Sequence, residues 1–247
     1  DRCRCPVAAK GPREVRAAAD VLNAMQARIR KQIEDRTALM GAIAHDLKTP
    51  LARMRLRIED LPEPMRSKLN GDIAHMDDLI RSAMSFTSAH KLSAVLRPLD
   101  LSSVVTGLNE DLCDICRIQA GRIEKNVRVS GDQVALKRIL TNLIENAGRY
   151  ARTCHIELAI QGKNAELRVI DQGPGLPPEA LEAVFAPFYR LESSRNRDTG
   201  GTGLGLSVAR ALAEAQGGTL ILSNHYEGEE IVGLEARLIL PILPKTP

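Results

Sequence analysis

From Val15 to about Leu61 the chain carries one nearly uninterrupted helical pattern, and an element of that length needs a partner along its whole apolar side. Val15, Leu22 and Ile29 are seven apart; Ala18, Met25 and Leu39 fit the companion seam, which Gln32 breaks. Gly11-Pro12 punctuates the start, with Pro12 free to sit near a helix N-terminus. A second amphipathic stretch runs from about Met65 to Ala89, with Leu69, Ile73, Met76, Ile80 and Ala83 on one face. Pro62 and Pro64 make the connection. Two long helices joined by a short loop form a hairpin, and one hairpin has no closed core. Pairing two hairpins into a dimeric four-helix bundle buries both stripes, so a homodimer is expected. The alternative is a monomer whose hairpin packs on the rest of the chain.

Composition narrows the rest. Aromatic residues are 2% of the 247, with no Trp, so the cores must be built from Leu, Ile, Val and Ala. That favours helical packing and argues against an aromatic stacking surface for nucleic acid. The net charge of +3 is too small to imply a polyanion partner. No apolar run approaches the roughly 20 residues needed to span a bilayer; the longest, Leu238 to Leu243, is broken by Pro241. With no signal-peptide pattern at the start, the expectation is a cytoplasmic chain cut from a longer protein. Five cysteines are an odd number with no disulfide framework. Cys113 and Cys116 have metal-like spacing, but no second pair completes a zinc site. No role is assigned to them or to Cys3 and Cys5.

After Pro98 the pattern changes to mixed helix and strand. Helices are expected from Leu101 to about Cys116, capped by Asp100 or Ser102, from Gln133 to Tyr150, from Pro178 to Val184 and from Leu204 to Gln216, the last ended by Gly217-Gly218. His155 to Ile160, Ala165 to Ile170, Leu220 to Leu222 and Leu234 to Leu240 read as strands. Residues 186–202 read as a mobile loop. Helices on one face of a mixed sheet make an α+β sandwich.

Four features carry chemistry. Arg138, Asn142, Asn146 and Tyr150 are each four apart and share one helix face. Asparagine is a poor interior helix former, and its amide oxygen can ligate Mg²⁺, which keeps several waters and borrows nucleotide phosphates. Asp171 ends a strand at the turn Asp171-Gln172-Gly173-Pro174-Gly175, where a carboxylate can accept from an exocyclic amine such as that of adenine, and Gly173 and Gly175 let the backbone approach a ligand. Gly201, Gly203 and Gly205 precede a helix whose free N–H groups can cradle phosphates. No Gly-Lys-Ser/Thr P-loop is present, and no strand leads directly into the glycines as a dinucleotide fingerprint requires. His45 lies mid-helix beside Asp46 and Lys48 and is expected to be exposed, with Thr49 on the same face and Pro50 freeing a carbonyl nearby. Neutral imidazole is a competent nucleophile at pH 7, which Asp46 could orient or deprotonate. One chain thus carries a nucleotide pocket and a phosphate acceptor.

These motifs, in this order, resemble those of the two-component sensor histidine kinases over almost the whole chain. His45 to Leu51 resembles the H box, Asn142 to Tyr150 the N box, Asp171 to Gly175 and Gly201 to Gly205 the two glycine boxes, and Phe185-Ala186-Pro187-Phe188-Tyr189-Arg190 the F box. Around His45 the similarity is to the osmosensor (EnvZ-like) kinases, through Asp35-Arg36-Thr37 and Arg53-Met54-Arg55-Leu56. Residues 6–33 resemble the second half of a HAMP signal-relay linker.

The resemblance implies three segments: a partial HAMP-like linker over 1–34, a dimerisation and histidine phosphotransfer domain over 35–95, and a catalytic ATP-binding domain of the GHKL (Bergerat) type over 96–247. It also implies roles. His45 takes the γ-phosphoryl of ATP and passes it to an aspartate of a response regulator; Asp46 assists as acid or base; Thr49 positions water for the reverse, phosphatase, activity. Asn146 ligates Mg²⁺, while Asn142, Arg149 and Tyr150 shape the phosphate and adenine ends. Asp171 reads the adenine amine, and Gly173, Gly175, Phe188, Gly201, Gly203 and Gly205 form the pocket and lid. The parent protein is then anchored in a bacterial inner membrane through an upstream segment. Two departures stand out: Gly148 sits mid-helix, at about 1 kcal/mol relative to Ala, and no lysine follows Tyr150 closely, leaving Arg149 or Arg152 to serve the phosphates. A dimeric scaffold with a vestigial nucleotide site, and a chaperone-type or mismatch-repair-type ATPase, are the competing readings; the latter gives no reason for the His45 segment.

Overall fold

The computed structural model describes residues 12–89, 96–111, 117–151, 153–191 and 202–243. Cys3, Cys5, Cys113, Cys116, Arg152, Gly201 and most of the expected 186–202 loop lie outside the described residues. The chain divides into two units, Asp1–Lys91 and Leu92–Pro247.

The first unit is the expected helical hairpin. Helix α1 spans Arg13–Ile58 and stays helical across Pro50, and α2 spans Met65–Ala89. Leu51 and Ile58 from α1 and Ile73 from α2 are buried together, with Leu61, Leu69 and Ile80 packed against them. Asp77 on α2 ties the helices together: it pairs with Arg81 at 2.8 Å and with Arg55 of α1 at 3.8 Å. Met76 departs from the expected inner face and is 45% exposed. The hairpin leaves a second apolar stripe uncovered along α1, including Leu22, Met25, Ile29, Ile43, Leu47 and Met54. So many exposed large apolar residues on one helix are not a typical solvent surface.

The second unit is a two-layer α/β sandwich. Its elements in order are β1 (Arg97–Asp100), α3 (Leu101–Asp111), β2 (Arg117–Ile123), β3 (Arg128–Gly131), α4 (Gln133–Tyr150), β4 (Thr153–Gln161), β5 (Asn164–Asp171), α5 (Ala180–Ala183), α6 (Gly205–Ala215), β6 (Thr219–Glu227) and β7 (Glu230–Pro241). The main sheet has the order β2-β4-β5-β7-β6; β2 runs parallel to β4 and the other neighbours are antiparallel. A two-stranded sheet pairs β1 with β3. Period-two alternation decides which sheet face is covered. On β5, Ala165, Leu167 and Val169 are buried, whereas Arg168 between them joins Glu166 of the same strand at 2.7 Å and, on neighbouring strands, Glu235 at 3.5 Å and Glu157 at 3.9 Å.

Helix α4 begins where expected because Asp132 caps it: its carboxylate accepts from the Val134 N–H at 2.8 Å and the Ala135 N–H at 3.4 Å. Leu136, Ile139, Leu140, Leu143, Ile144 and Ala147 form its buried face. Gln216, at the end of α6, is itself buried and accepts from the Asp132 backbone N–H at 2.9 Å. Asp132→Ala is expected to lower the unfolding free energy by about 1 kcal/mol, read as a shifted urea midpoint; an unchanged midpoint would deny the cap any energetic role.

Several elements differ from expectation. Strands β1, β2 and β3 were not foreseen. Helix α3 is described as far as Asp111, and the remainder of the expected stretch to Cys116 lies outside the described residues. Asp100 is its cap, holding the Ser102 N–H at 3.0 Å and the Ser103 hydroxyl at 2.7 Å. The Pro178–Val184 helix is a single turn, Ala180–Ala183. Strands β6 and β7 extend well beyond Leu222 and Leu234 into a long hairpin.

Candidate functional site

Asp171 terminates β5 and is only 5% exposed. Its Oδ1 accepts two backbone N–H bonds, from Gly173 at 2.8 Å and from Leu234 of β7 at 3.1 Å. Among the described residues no donor reaches Oδ2, so one oxygen is fixed and the other is available. Burial pushes the carboxyl above its ordinary value of 3.8, and the two N–H bonds offset this only in part. A buried acceptor of this kind suits a ligand N–H.

The glycines of this turn also make close approaches within the protein itself. Gly175 has φ +67°, and a Cβ there would strike Ile231, the Asn224 side-chain oxygen at 2.8 Å and the Gly233 carbonyl at 3.2 Å. A Cβ at Gly173 would meet the Tyr150 carbonyl oxygen at 3.2 Å. On the side where a Cβ would stand, these glycines admit the protein's own backbone and side chains from α4 and the β6–β7 hairpin.

Helix α4 carries the expected polar stripe past this turn. Asn142 and Tyr150 lie about 12 Å apart along its axis at 1.5 Å per residue. Tyr150 and Arg149 are exposed, Asn142 and Asn146 half-buried. The Asn142 side-chain nitrogen is buried with no hydrogen-bond partner among the described residues, and a buried unpaired amide is costly. The same side chain lies beside Gly205, whose Cβ position is 3.7 Å from Asn142 Oδ1. The N-terminus of α6 is thereby brought against α4. Gly203 packs under the segment around Phe188: the Phe188 N–H donates to the Gly203 carbonyl at 3.0 Å, and a Cβ at Gly203 would lie 2.9 Å from the Phe188 backbone. Phe188 takes φ +64° and is 65% exposed, a strained conformation for a bulky residue. Arg210 of α6 stacks 4.6 Å over Phe185 and pairs with Glu182, fixing the base of this segment.

The arrangement offers an acceptor at one end of α4 and, beside a helix N-terminus at the other, a donor left unpaired among the described residues. Those are the complements of a base amine and a phosphate oxygen. No cluster of three or more His, Cys, Asp or Glu among the described residues could hold a metal by itself. A Mg²⁺ ion fits only if phosphate oxygens and water complete a shell begun by the Asn146 amide oxygen.

His45 stands in the other unit. Its side chain is 85% exposed on α1, and Nδ1 lies 3.5 Å from Asp46 Oδ1. Adjacent helical residues seldom face each other, so this approach is a finding of the structure. Thr49 is exposed four residues on.

Sequence reasoning missed Gln216, Asn224, Gly233 and Leu234. Asn224 had a readable signal, since it continues the buried alternation of Leu220 and Leu222 on β6.

Residues 131–243 match the family of histidine kinase-, DNA gyrase B- and HSP90-like ATPases. The sensor protein RstB of Escherichia coli is 38% identical over 213 residues, 80% of this chain and 48% of that protein. The sensor histidine kinase GtrS of Pseudomonas aeruginosa is 34% identical over 239 residues, 95% of this chain and 48% of that protein. The chain belongs to the sensor histidine kinases. It spans about half the length of the curated relatives it matches. Among solved structures, a mycobacterial sensor histidine kinase, MprB, is 28% identical with a TM-score of 0.54, over 60% of this chain and 99% of that one. Full-length ShkA, solved with AMPPNP, shares the fold at 21% identity and a TM-score of 0.66, over 85% of this chain and 47% of that one. No described helix of this sensor histidine kinase is long and apolar enough to cross a membrane.

Proposed function

We propose that this chain binds ATP in its second unit, phosphorylates itself on His45 and passes the phosphoryl group to an aspartate of a response regulator. The observation that carries this reading is His45, 85% exposed beside Asp46, in a chain whose other unit holds a nucleotide-type site. An Nδ1–H directed at Asp46 leaves the Nε2 lone pair to attack the γ-phosphorus. A P–N bond then forms, the bond to the departing ADP oxygen breaks, and the Nδ1 proton is stabilised by, or lost to, the Asp46 carboxylate. Asp171 Oδ2 accepts from the adenine amine, and Asn142, Arg149 and Tyr150 line the phosphate and adenine ends. Gly201, Gly203, Gly205 and Phe188 belong to the lid over the nucleotide. A Mg²⁺ ion held in part by the Asn146 amide oxygen would supply the charge neutralisation that phosphoryl transfer depends on.

The uncovered stripe on α1 supports a homodimer in which two hairpins close a four-helix bundle. Residues 1–34 then act as a partial HAMP-like relay, 35–95 as the dimerisation and phosphotransfer domain, and 96–247 as the ATP-binding domain. In the parent protein an upstream segment anchors this portion on the cytoplasmic side of the inner membrane.

The test is incubation with Mg²⁺ and γ-labelled ATP. Protein-bound label that is acid-labile and alkali-stable is expected; ATP binding without label would leave a scaffold as the better reading. Thr49 is further proposed to position water for dephosphorylation of the regulator. Thr49→Ala is expected to keep autophosphorylation and slow removal of phosphate from phosphorylated regulator. Equal loss of both activities would sink that role.

A further inference from the structure

The β6–β7 hairpin outruns its neighbour in the sheet. The β5–β7 ladder stops at Ile170↔Glu235, whereas β6 and β7 stay paired as far as Glu227↔Glu230. The overhang is spent on the turn that follows Asp171. Where the next ladder bond would fall, the Leu234 N–H instead donates to Asp171 Oδ1 at 3.1 Å. One residue earlier, Gly233 has no room for a side chain, because a Cβ would fall inside the van der Waals envelope of the Asp171 carbonyl oxygen. From β6, the buried Asn224 grips Leu176 at both backbone groups: Oδ1 accepts its N–H at 2.8 Å and Nδ2 donates to its carbonyl at 2.7 Å. The turn from Asp171 to Leu176 is therefore clamped at its two ends by residues 48 and 63 positions away.

We propose that Asn224 and Gly233 are positioning residues that aim the Asp171 carboxylate, so that the β6–β7 overhang sets which nucleobase the site accepts. The inference rests on the nucleotide reading above. With Oδ1 held by two N–H donors, the carboxylate plane is fixed and Oδ2 presents one lone-pair direction. That geometry rewards an exocyclic amine and repels a carbonyl at the same place. Freed from the clamp, the carboxylate can rotate away, and the discrimination is lost while the rest of the pocket stays.

The experiment is equilibrium binding of ATP and of inosine triphosphate, which replaces the amine by a carbonyl, to the whole chain and to Gly233→Ala and Asn224→Ala. The unsubstituted chain is expected to prefer ATP. Each variant is expected to lower the ATP-to-inosine ratio by roughly tenfold while inosine triphosphate affinity holds. An unchanged ratio with both affinities reduced alike would overturn the inference by making the clamp a general scaffold. Loss of the folded state in both variants would overturn it too, by assigning the residues to the fold. An unsubstituted chain that binds both nucleotides equally would instead defeat the reading of Asp171 on which the inference stands.

Discussion

His45→Gln is expected to abolish protein-bound phosphate completely while leaving nucleotide affinity unchanged. The imidazole supplies the only lone-pair nitrogen proposed to attack phosphorus, and a carboxamide nitrogen has no comparable nucleophilicity. The substitution should cost the fold little. The side chain is 85% exposed and its recorded polar neighbour is Asp46 at 3.5 Å, and surface changes of this kind usually fall within about 0.5 kcal/mol. The nucleotide-type residues Asp171, Asn142 and Asn146 belong to a different compact unit, so titration with ATP should give the same affinity as the unsubstituted chain. Residual acid-labile label in the variant would move the acceptor to another histidine. A parallel loss of ATP binding would contradict the division of labour between the units.

Asp171→Asn is expected to weaken ATP binding by roughly 10- to 150-fold, the value of one hydrogen bond to a charged group at about 1.5–3 kcal/mol. The same change should leave the nucleotide-free protein as stable as before, or more so, at neutral pH. The sign follows from burial. The folded carboxyl lies above 3.8 because burial disfavours its charged form. Its contribution to stability is then fully present below the unfolded value and is lost as pH rises through the folded value. Near pH 7 the unsubstituted protein carries a buried carboxylate, and the asparagine variant carries none while keeping an acceptor for the Gly173 and Leu234 N–H groups. Thermal unfolding without nucleotide should show a gap in favour of the variant at neutral pH that closes as pH falls below 3.8. A variant much less stable at pH 7 would show that the charge itself holds the turn. ATP affinity of the unsubstituted protein should fall as pH drops through the raised value, since only the carboxylate offers two lone-pair acceptors.

Much of the architecture was written locally. The Gln133–Tyr150 helix was found at its true ends because Asp132 is a strong cap and the apolar residues recur at helical spacing. The hairpin of α1 and α2 was legible from its heptads and from Pro62 and Pro64. Strand β2 was not, because a register shift between Ala120 and Ile123 interrupts its alternation, and β1 and β3 are four residues each. The β6–β7 hairpin was cut short in the reading because His225 to Glu230 is polar and looks like a loop. Its pairing is supplied by the opposite strand.

At the site, the sequence by itself determined which residue types were available: Asp171, the paired asparagines, the glycine runs and an exposed His45. Hydrogen-bonding capacity and helical spacing are local properties, so composition and order suffice to find them. Tertiary structure alone decided that Gly175 faces Ile231 and Asn224, that Asn142 meets Gly205, and that Leu234 supplies the second donor to Asp171. Those contacts join residues tens of positions apart, and only the packing of α6 on α4 and the register of β5 and β6 with β7 bring them together.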